Sequence, residues 1–387
     1  MLRSFCYTLL ISIIAFLTFT LECEAQNFST ESKISLLTAS PGDELYTTFG
    51  HSAIRIQDPV SKQDLVYNYG IFDFRTPNFY IKFIRGKLPY KLGLQRMNNF
   101  LKVYTRENRR VSEREFNLEE DEKMVFINFL KENYKPENRE YPYDFFYDNC
   151  ATRIRDIAEN ELGSKFSYQN LPDRKVTFRQ LLDEFLVDMP WADFGIDLIL
   201  GLRADERADH RNQQFLPEYL ESNLALGVVK RGDESKPFLG ESTEVLPFQF
   251  IREKKNHLFN PLFVMSIFGL LVLALTYFKR HSKKGNLFDY FFFILLGIMG
   301  CFFLFMWLGT DHQACHRNLN MLWANPMYLF IVPFAISKNW KCFWIFVIAC
   351  TTLLLITFPF NPQQYHLAFI PIFIVIIMRG FYQLNKN

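Results

Sequence analysis

Charge and apolarity are not mixed along this chain; they are partitioned between its two halves. Acidic and basic residues crowd into residues 27–257, whereas Phe, Leu and Ile crowd into residues 259–380. A chain so divided has to satisfy two solvents, so a water-soluble domain followed by a membrane domain is expected. The formal net charge of +2 averages the two halves. It gives no reason to expect nucleic acid as a partner.

Residues 1–25 have the layout of a secretory signal. Arg3 supplies the charged start, Leu9 to Leu21 is mostly apolar, and Cys23-Glu24-Ala25 reads as a cleavage site before Gln26. An uncleaved signal anchor is the alternative. Glu22 occupies the position where lipidation of Cys23 would need a small residue. Five spanning helices are expected near 260–278, 287–308, 326–337, 342–358 and 366–379. The second is long enough for a hydrocarbon core of about 30 Å, and the third and last are short.

Lys279, Arg280, Lys283 and Lys284 follow the first helix, Lys338 and Lys341 the third, and Arg379 and Lys386 the fifth. Loops 309–325 and 359–365 hold one basic residue, Arg317. This bias places the basic loops and a tail over 381–387 in the cytoplasm. Arg252, Lys254 and Lys255 oppose that orientation, but a long translocated domain overrides charges that act mainly through short loops. The expected setting is a bacterial inner membrane with the soluble domain in the periplasm.

Residues 26–227 suffice for one domain with a substantial core, and 228–258 read as a linker or small hairpin. Strands are expected at Ile34–Thr38, Phe49–Ile56 and Leu65–Tyr69, forming an antiparallel sheet with one face on a core. Helical spacing marks 119–133 and 177–187, and Asp148 or Asn149 can cap a helix that runs to about Glu161 and ends at Gly163. The fold class is α+β, followed by an all-α bundle of about five helices.

Cys150 is the only cysteine between the signal segment and the membrane helices. A thiol acts as a nucleophile only as thiolate, and a helix N-terminus and a nearby imidazole both favour that form. His51 is the only histidine between the signal segment and residue 209, and so is the candidate base. A third polar group usually orients such a histidine; Asn68 on the next strand is the first candidate and Asp58 the second. The N–H groups of Cys150 and Ala151 are candidates to hold an oxyanion. No second Cys or His lies at ligand spacing from either residue, so neither zinc nor another cofactor is expected. The alternative is a small buried cysteine and a satisfied core histidine.

The order His then Cys, in "TTFGHSAIRI", "VYNYGIFDF" and "YDFFYDNCATRIRD", resembles the Lnb-type family. That family is related to circularly permuted NlpC/P60 and lecithin:retinol-acyltransferase proteins of papain-like fold, and it carries a C-terminal multispanning domain. The likeness covers about residues 27–200. It implies lipoprotein N-acyltransfer: a fatty acyl chain passes from a phospholipid donor to the α-amine of a diacylated lipoprotein. Cys150 would be the nucleophile and His51 the general base, with Asn68 inferred from strand position alone. Tyr67 and Arg153 are candidate substrate contacts in the matching blocks. Arg153 and Arg155 can instead pair with Asp148 and Asp156, which is expected for at least one of them.

Residues 310–326, between two apolar spans, are polar and aromatic. Polar density at a membrane face points to function. Asp311, His312, His316, Asn318 and Asn320 are candidates to position a headgroup or a lipidated peptide terminus. A metal at Asp311, His312 and His316, or an interfacial turn with Trp323 in the aromatic belt, are the alternatives. Cys315 is a possible disulfide partner for Cys150; Cys301, Cys342 and Cys350 read as apolar helix residues. Two other readings of the whole stand beside acyl transfer: a membrane-anchored cell-wall peptidase, and a non-catalytic binding module with a structural cysteine.

Overall fold

Alternating apolar residues in the first half assemble an antiparallel seven-stranded sheet. In chain order the elements begin with β1 (Lys33–Ala39), β2 (His51–Asp58), β3 (Gln63–Ile71), α1 (Phe79–Ile84) and β4 (Pro89–Arg96). They continue with α2 (Met97–Arg106), β5 (Val111–Glu115), α3 (Glu120–Tyr134), β6 (Glu140–Pro142), α4 (Cys150–Leu162) and β7 (Phe166–Tyr168). The later elements are β8 (Val176–Thr177), α5 (Phe178–Leu186), α6 (Pro190–Ile199), β9 (Arg207–Ala208), α7 (His210–Gln213), α8 (Pro217–Leu224), β10 (Gly227–Arg231), β11 (Glu234–Pro237) and β12 (Thr243–Leu246). The computed structural model describes residues 28–250, 257–278 and 285–386. The expected signal segment, Arg252, Lys254, Lys255 and the basic connector 279–284 lie outside the described residues.

The main sheet runs β12-β5-β1-β2-β3-β4-β6. Ile34, Leu36, Ile54, Ile56 and Tyr67 point to one face, where they pack with Ile154, Ile157 and Ala158 of α4 and Phe126, Ile127 and Leu130 of α3. One face on a core was expected; on the opposite face Leu37, Ala39, Ala53 and Val66 pack with Met97, Phe100 and Tyr104 of α2. Those three residues lie at i, i+3 and i+7, the spacing of one helix face. Both sheet faces are therefore buried.

Residues 228–246, expected as a linker or hairpin, extend the domain. The β10–β11 hairpin adds β7 to form a second sheet, and β12 pairs with β5 at the edge of the main one. Phe238, fully buried and stacked on Phe116 at 4.9 Å, fastens this segment to the core.

Among the described residues five apolar helices follow: α9 (Pro261–Phe278), α10 (Gly285–Leu308), α11 (Tyr328–Ser337), α12 (Lys341–Thr357) and α13 (Phe369–Leu384). Three stretches, Pro261–Phe278, Asn286–Leu308 and Lys341–Phe360, are long and apolar enough to cross a membrane; α11 and α13 are shorter. The last helix continues past the expected limit, so Arg379 lies inside α13 rather than in a cytoplasmic loop. Its guanidinium grips the fully buried Asp289 of α10 through two hydrogen bonds of 2.6 Å. A charge this deep in an apolar bundle needs such a partner.

Candidate active site and its junction with the membrane

Cys150 is the first residue of α4, and Asn149 fixes it there. Asn149 Oδ1 accepts from the N–H groups of Ala151 at 2.8 Å and Thr152 at 3.0 Å. Its amide nitrogen donates to the carbonyls of Phe145 and Phe215, at 2.8 and 2.9 Å. Asn149 is buried, so this cap locks the helix start to the loops on both sides. The Ala151 N–H that was expected to help hold an oxyanion is engaged by this cap and also lies against the Cys150 sulfur.

The β2–β3 ladder ends at Ile54 opposite Tyr67. Beyond that point Asn68 Oδ1 meets His51 Nε2 at 2.6 Å. The His51 ring is hydrogen-bonded to the Cys150 thiol, which also accepts from the Ser52 N–H. With Nε2 held by Asn68, Nδ1 is the nitrogen left for sulfur. Gly70 (φ +87°) lets β3 pass close by; a Cβ there would sit 3.9 Å from that of Cys150. Cys150 and His51 both remain partly exposed. Cys315 and Cys150 are both free thiols, and burial pushes Cys315 up to about 12.

Each of the two groups favours the charged form of the other. Burial alone would raise the Cys150 pKa, but the charge and hydrogen bond of His51 and the Ser52 and Ala151 amides outweigh it, and the net direction is down. Burial likewise opposes a charged His51, yet Cys150 and Asn68 hold its pKa above the ordinary value. Arg109 opposes them weakly. Buried in the turn before β5, Arg109 donates to the Ser40 carbonyl at 2.6 Å; its place near the imidazole was not foreseen. A thiolate at a helix N-terminus beside an imidazolium is a nucleophile ready for acyl chemistry.

Several candidates fall elsewhere. Asp58, seven residues along β2 from His51, is taken up by a turn through Ser29, Val60 and Ser61. Tyr67 is fully buried among core side chains, because its strand position faces α4. Arg153 is clamped by Asp148 at 2.5 and 2.8 Å and lies 4.0 Å over the Tyr141 ring, so its charge is already matched. Arg155 pairs with Asp156 and donates to the Arg211 carbonyl.

Three of the loop candidates, His312, Asn318 and Asn320, are docking pins. Asn318 Nδ2 donates to the carbonyls of Leu198 and Ile199 at 2.9 and 3.0 Å, and Asn320 Nδ2 to that of Leu198 at 3.0 Å. Both asparagines are buried. They satisfy the free carbonyls at the C-terminus of α6, which no helical N–H can reach. Gly201 makes the approach possible, since a Cβ there would lie 2.0 Å from the His316 carbonyl oxygen. His312 Nε2 meets the Phe83 carbonyl at 3.0 Å, and the Asp311 N–H donates to Arg85 at 2.9 Å. The exterior loop is thus joined to the periplasmic domain at Phe83, Arg85 and the end of α6, apart from the thiol–imidazole pair.

Sequence reasoning missed an acidic group at that junction. Asp183 of α5 and Asp193 and Asp197 of α6 place carboxylate oxygens within 4.8 Å of one another. Asp183 and Asp193 lie close enough for each to feel the other's carboxyl group. Burial, then the charge of Asp197, pushes Asp183 up to about 8 and Asp193 to about 6. The folded state therefore binds protons that the unfolded chain releases at the ordinary carboxyl value near 3.8. That stabilisation is complete below pH 4 and is lost as pH rises through 8. The melting temperature of the full chain is expected to fall by about 5 °C across this window. Asp183→Asn should flatten the slope; identical slopes in both proteins would refute the assignment.

The description "Lnb N-terminal periplasmic domain" matches residues 22–184, and "Lnb transmembrane domain" matches residues 253–387. No curated protein and no solved structure matches the chain. The first match contains the thiol–imidazole pair, and the second contains the helices and exterior loop on which that domain docks. This chain belongs to the Lnb family: a multi-pass membrane protein whose N-terminal periplasmic domain precedes a helical transmembrane domain.

Proposed function

We propose that the protein is an apolipoprotein N-acyltransferase of the bacterial inner membrane that works through a thioester on Cys150. In the first step the Cys150 thiolate attacks the ester carbonyl of a phospholipid acyl chain. His51 gives its proton to the leaving glycerol oxygen, and a lysophospholipid departs. In the second step the α-amine of a diacylated lipoprotein attacks the thioester carbonyl. His51 takes the amine proton and the thiolate is released, so the enzyme returns to its starting state. Asn68 orients the ring through Nε2. The helix terminus favours negative charge at the carbonyl oxygen.

The observation that carries this reading is the Cys150–His51–Asn68 alignment in a domain pinned to membrane helices. A cysteine at a helix start facing histidine and asparagine on adjacent strands also supports a papain-like arrangement. All five apolar helices are read as spans, α11 and α13 being short ones completed by their flanking turns. A cell-wall peptidase would share the chemistry but would have no use for a junction this extensive.

The test is mass spectrometry of lipoprotein N-terminal peptides from cells carrying the wild type or Cys150→Ala. Loss of the amide-linked chain alone is expected. Normal triacylation with altered muropeptides would replace this reading by the peptidase one.

A further inference from the structure

β3 does not stop at the site. Past Gly70, beside Cys150, the chain continues through Phe72 and Phe74 into α1. Phe72 contacts Tyr90 with ring centroids 5.4 Å apart, and Tyr90 stacks on Tyr143 at 4.3 Å. Tyr90, Tyr143 and Cys150 all pack against the same core beneath the main sheet. An aromatic wall thus runs from the core beside Cys150 to the first turn of α1.

At the far end of that wall the side chains face outward. Phe74 is 71% exposed, Tyr80 75%, Ile81 61% and Phe83 49%. A contiguous apolar group of this kind on a soluble domain marks an interaction surface. Its height relative to the membrane is set by the exterior loop. The carbonyls of Phe83 and Arg85 bond to His312 and Asp311, which follow the end of the spanning helix α10. Residues 72–91 carry five cations (Arg75, Lys82, Arg85, Lys87, Lys91) against one acid, Asp73, a local charge of +4. Apolar side chains rimmed by cations, held at the end of a membrane helix, match acyl chains beneath anionic headgroups.

We propose that residues 72–84 form a lipid-inserting arm whose exposed apolar side chains enter the outer leaflet and engage phospholipid acyl chains. Insertion is independent of the chemistry. That the engaged chain is the donor delivered along Phe72, Tyr90 and Tyr143 to Cys150 rests on the acyltransferase reading.

The experiment uses the full chain in vesicles of phosphatidylethanolamine and phosphatidylglycerol doped with a phospholipid bearing a diazirine near its acyl terminus. After irradiation, adducts are expected on the 72–84 peptide as well as on the spanning helices, and equally in Cys150→Ala. The double variant Tyr80→Asp, Ile81→Asp alters two exposed positions. It should lose the 72–84 adducts and form the Cys150 acyl-enzyme at least tenfold more slowly, while iodoacetamide still alkylates Cys150 at the wild-type rate. Adducts confined to the spanning helices, with 72–84 labelled only by a water-soluble diazirine, would overturn the arm. Adducts on 72–84 in a wild type that transfers no acyl chain would uphold the arm and remove the acyltransferase reading instead.

Discussion

Replacing His51 by Ala is expected to lower the proposed acyl transfer by about 10³-fold or more. Two losses combine. In the proposed cycle the proton acceptor and donor for both half-reactions disappears, and so does the charge that draws the Cys150 thiol downward. Burial, the largest influence on that thiol and one that raises its pKa, is then opposed only by the Ser52 and Ala151 amides. The sign is therefore fixed: wild-type Cys150 should alkylate readily at pH 6–7, whereas the variant should need alkaline solution. Iodoacetamide rates from pH 5 to 10 check this without any lipid substrate. Superimposable profiles would mean that imidazole and thiol do not communicate. Asn68→Ala should fall between the two proteins, because the ring stays but its Nε2 anchor at 2.6 Å is gone.

The second large effect belongs to Arg179, far from the thiol in sequence and in role. Its guanidinium, 1% exposed, bonds Asp197 at 2.6 Å and Asp205 twice at 2.9 Å. It is the cation that holds the acidic junction together, with Asp183 and Asp193 already pushed upward by their neighbours. Arg179→Ala would leave those carboxylates in a buried site without a counter-charge, a loss of about 3–5 kcal/mol. For a domain of this size that corresponds to a melting temperature lower by roughly 10–15 °C. The loss should shrink in acid, where the carboxylates can protonate. Because Asp197 and Asp205 also lie against the exterior membrane loops through Asn320 and Gln364, transfer should fall even where Cys150 still alkylates normally. A variant with wild-type melting and transfer would show that the junction is not what couples the two halves.

Element by element, local chemistry was a good guide. The Asn149 cap and Gly163, at φ +52°, bound the Cys150 helix within a residue of expectation, because capping and left-handed turns depend on neighbours in the chain. The Glu120–Tyr134 and Phe178–Leu186 helices follow their apolar spacing in the same way. Tyr67 and Asn318 were misjudged for the opposite reason. A tyrosine in a strand and an asparagine in a loop look like ligand contacts until their distant partners are known. Here the partners are the α4 face and the carbonyls that end α6, one of them 120 residues away.

What the chain alone determined was the division into two solvents, the thiol at a helix start and the lone histidine of the first hundred residues of the domain, on a strand far ahead of it. These are properties of hydropathy, capping and short-range spacing, which need no knowledge of distant contacts. The tertiary structure decided which polar side chains are spent on packing, that Asn68 rather than Asp58 reaches the imidazole, and that the acidic cluster exists at all. Each of those depends on where a side chain meets residues far along the chain. In a buried site such meetings set charge, desolvation and hydrogen bonding together.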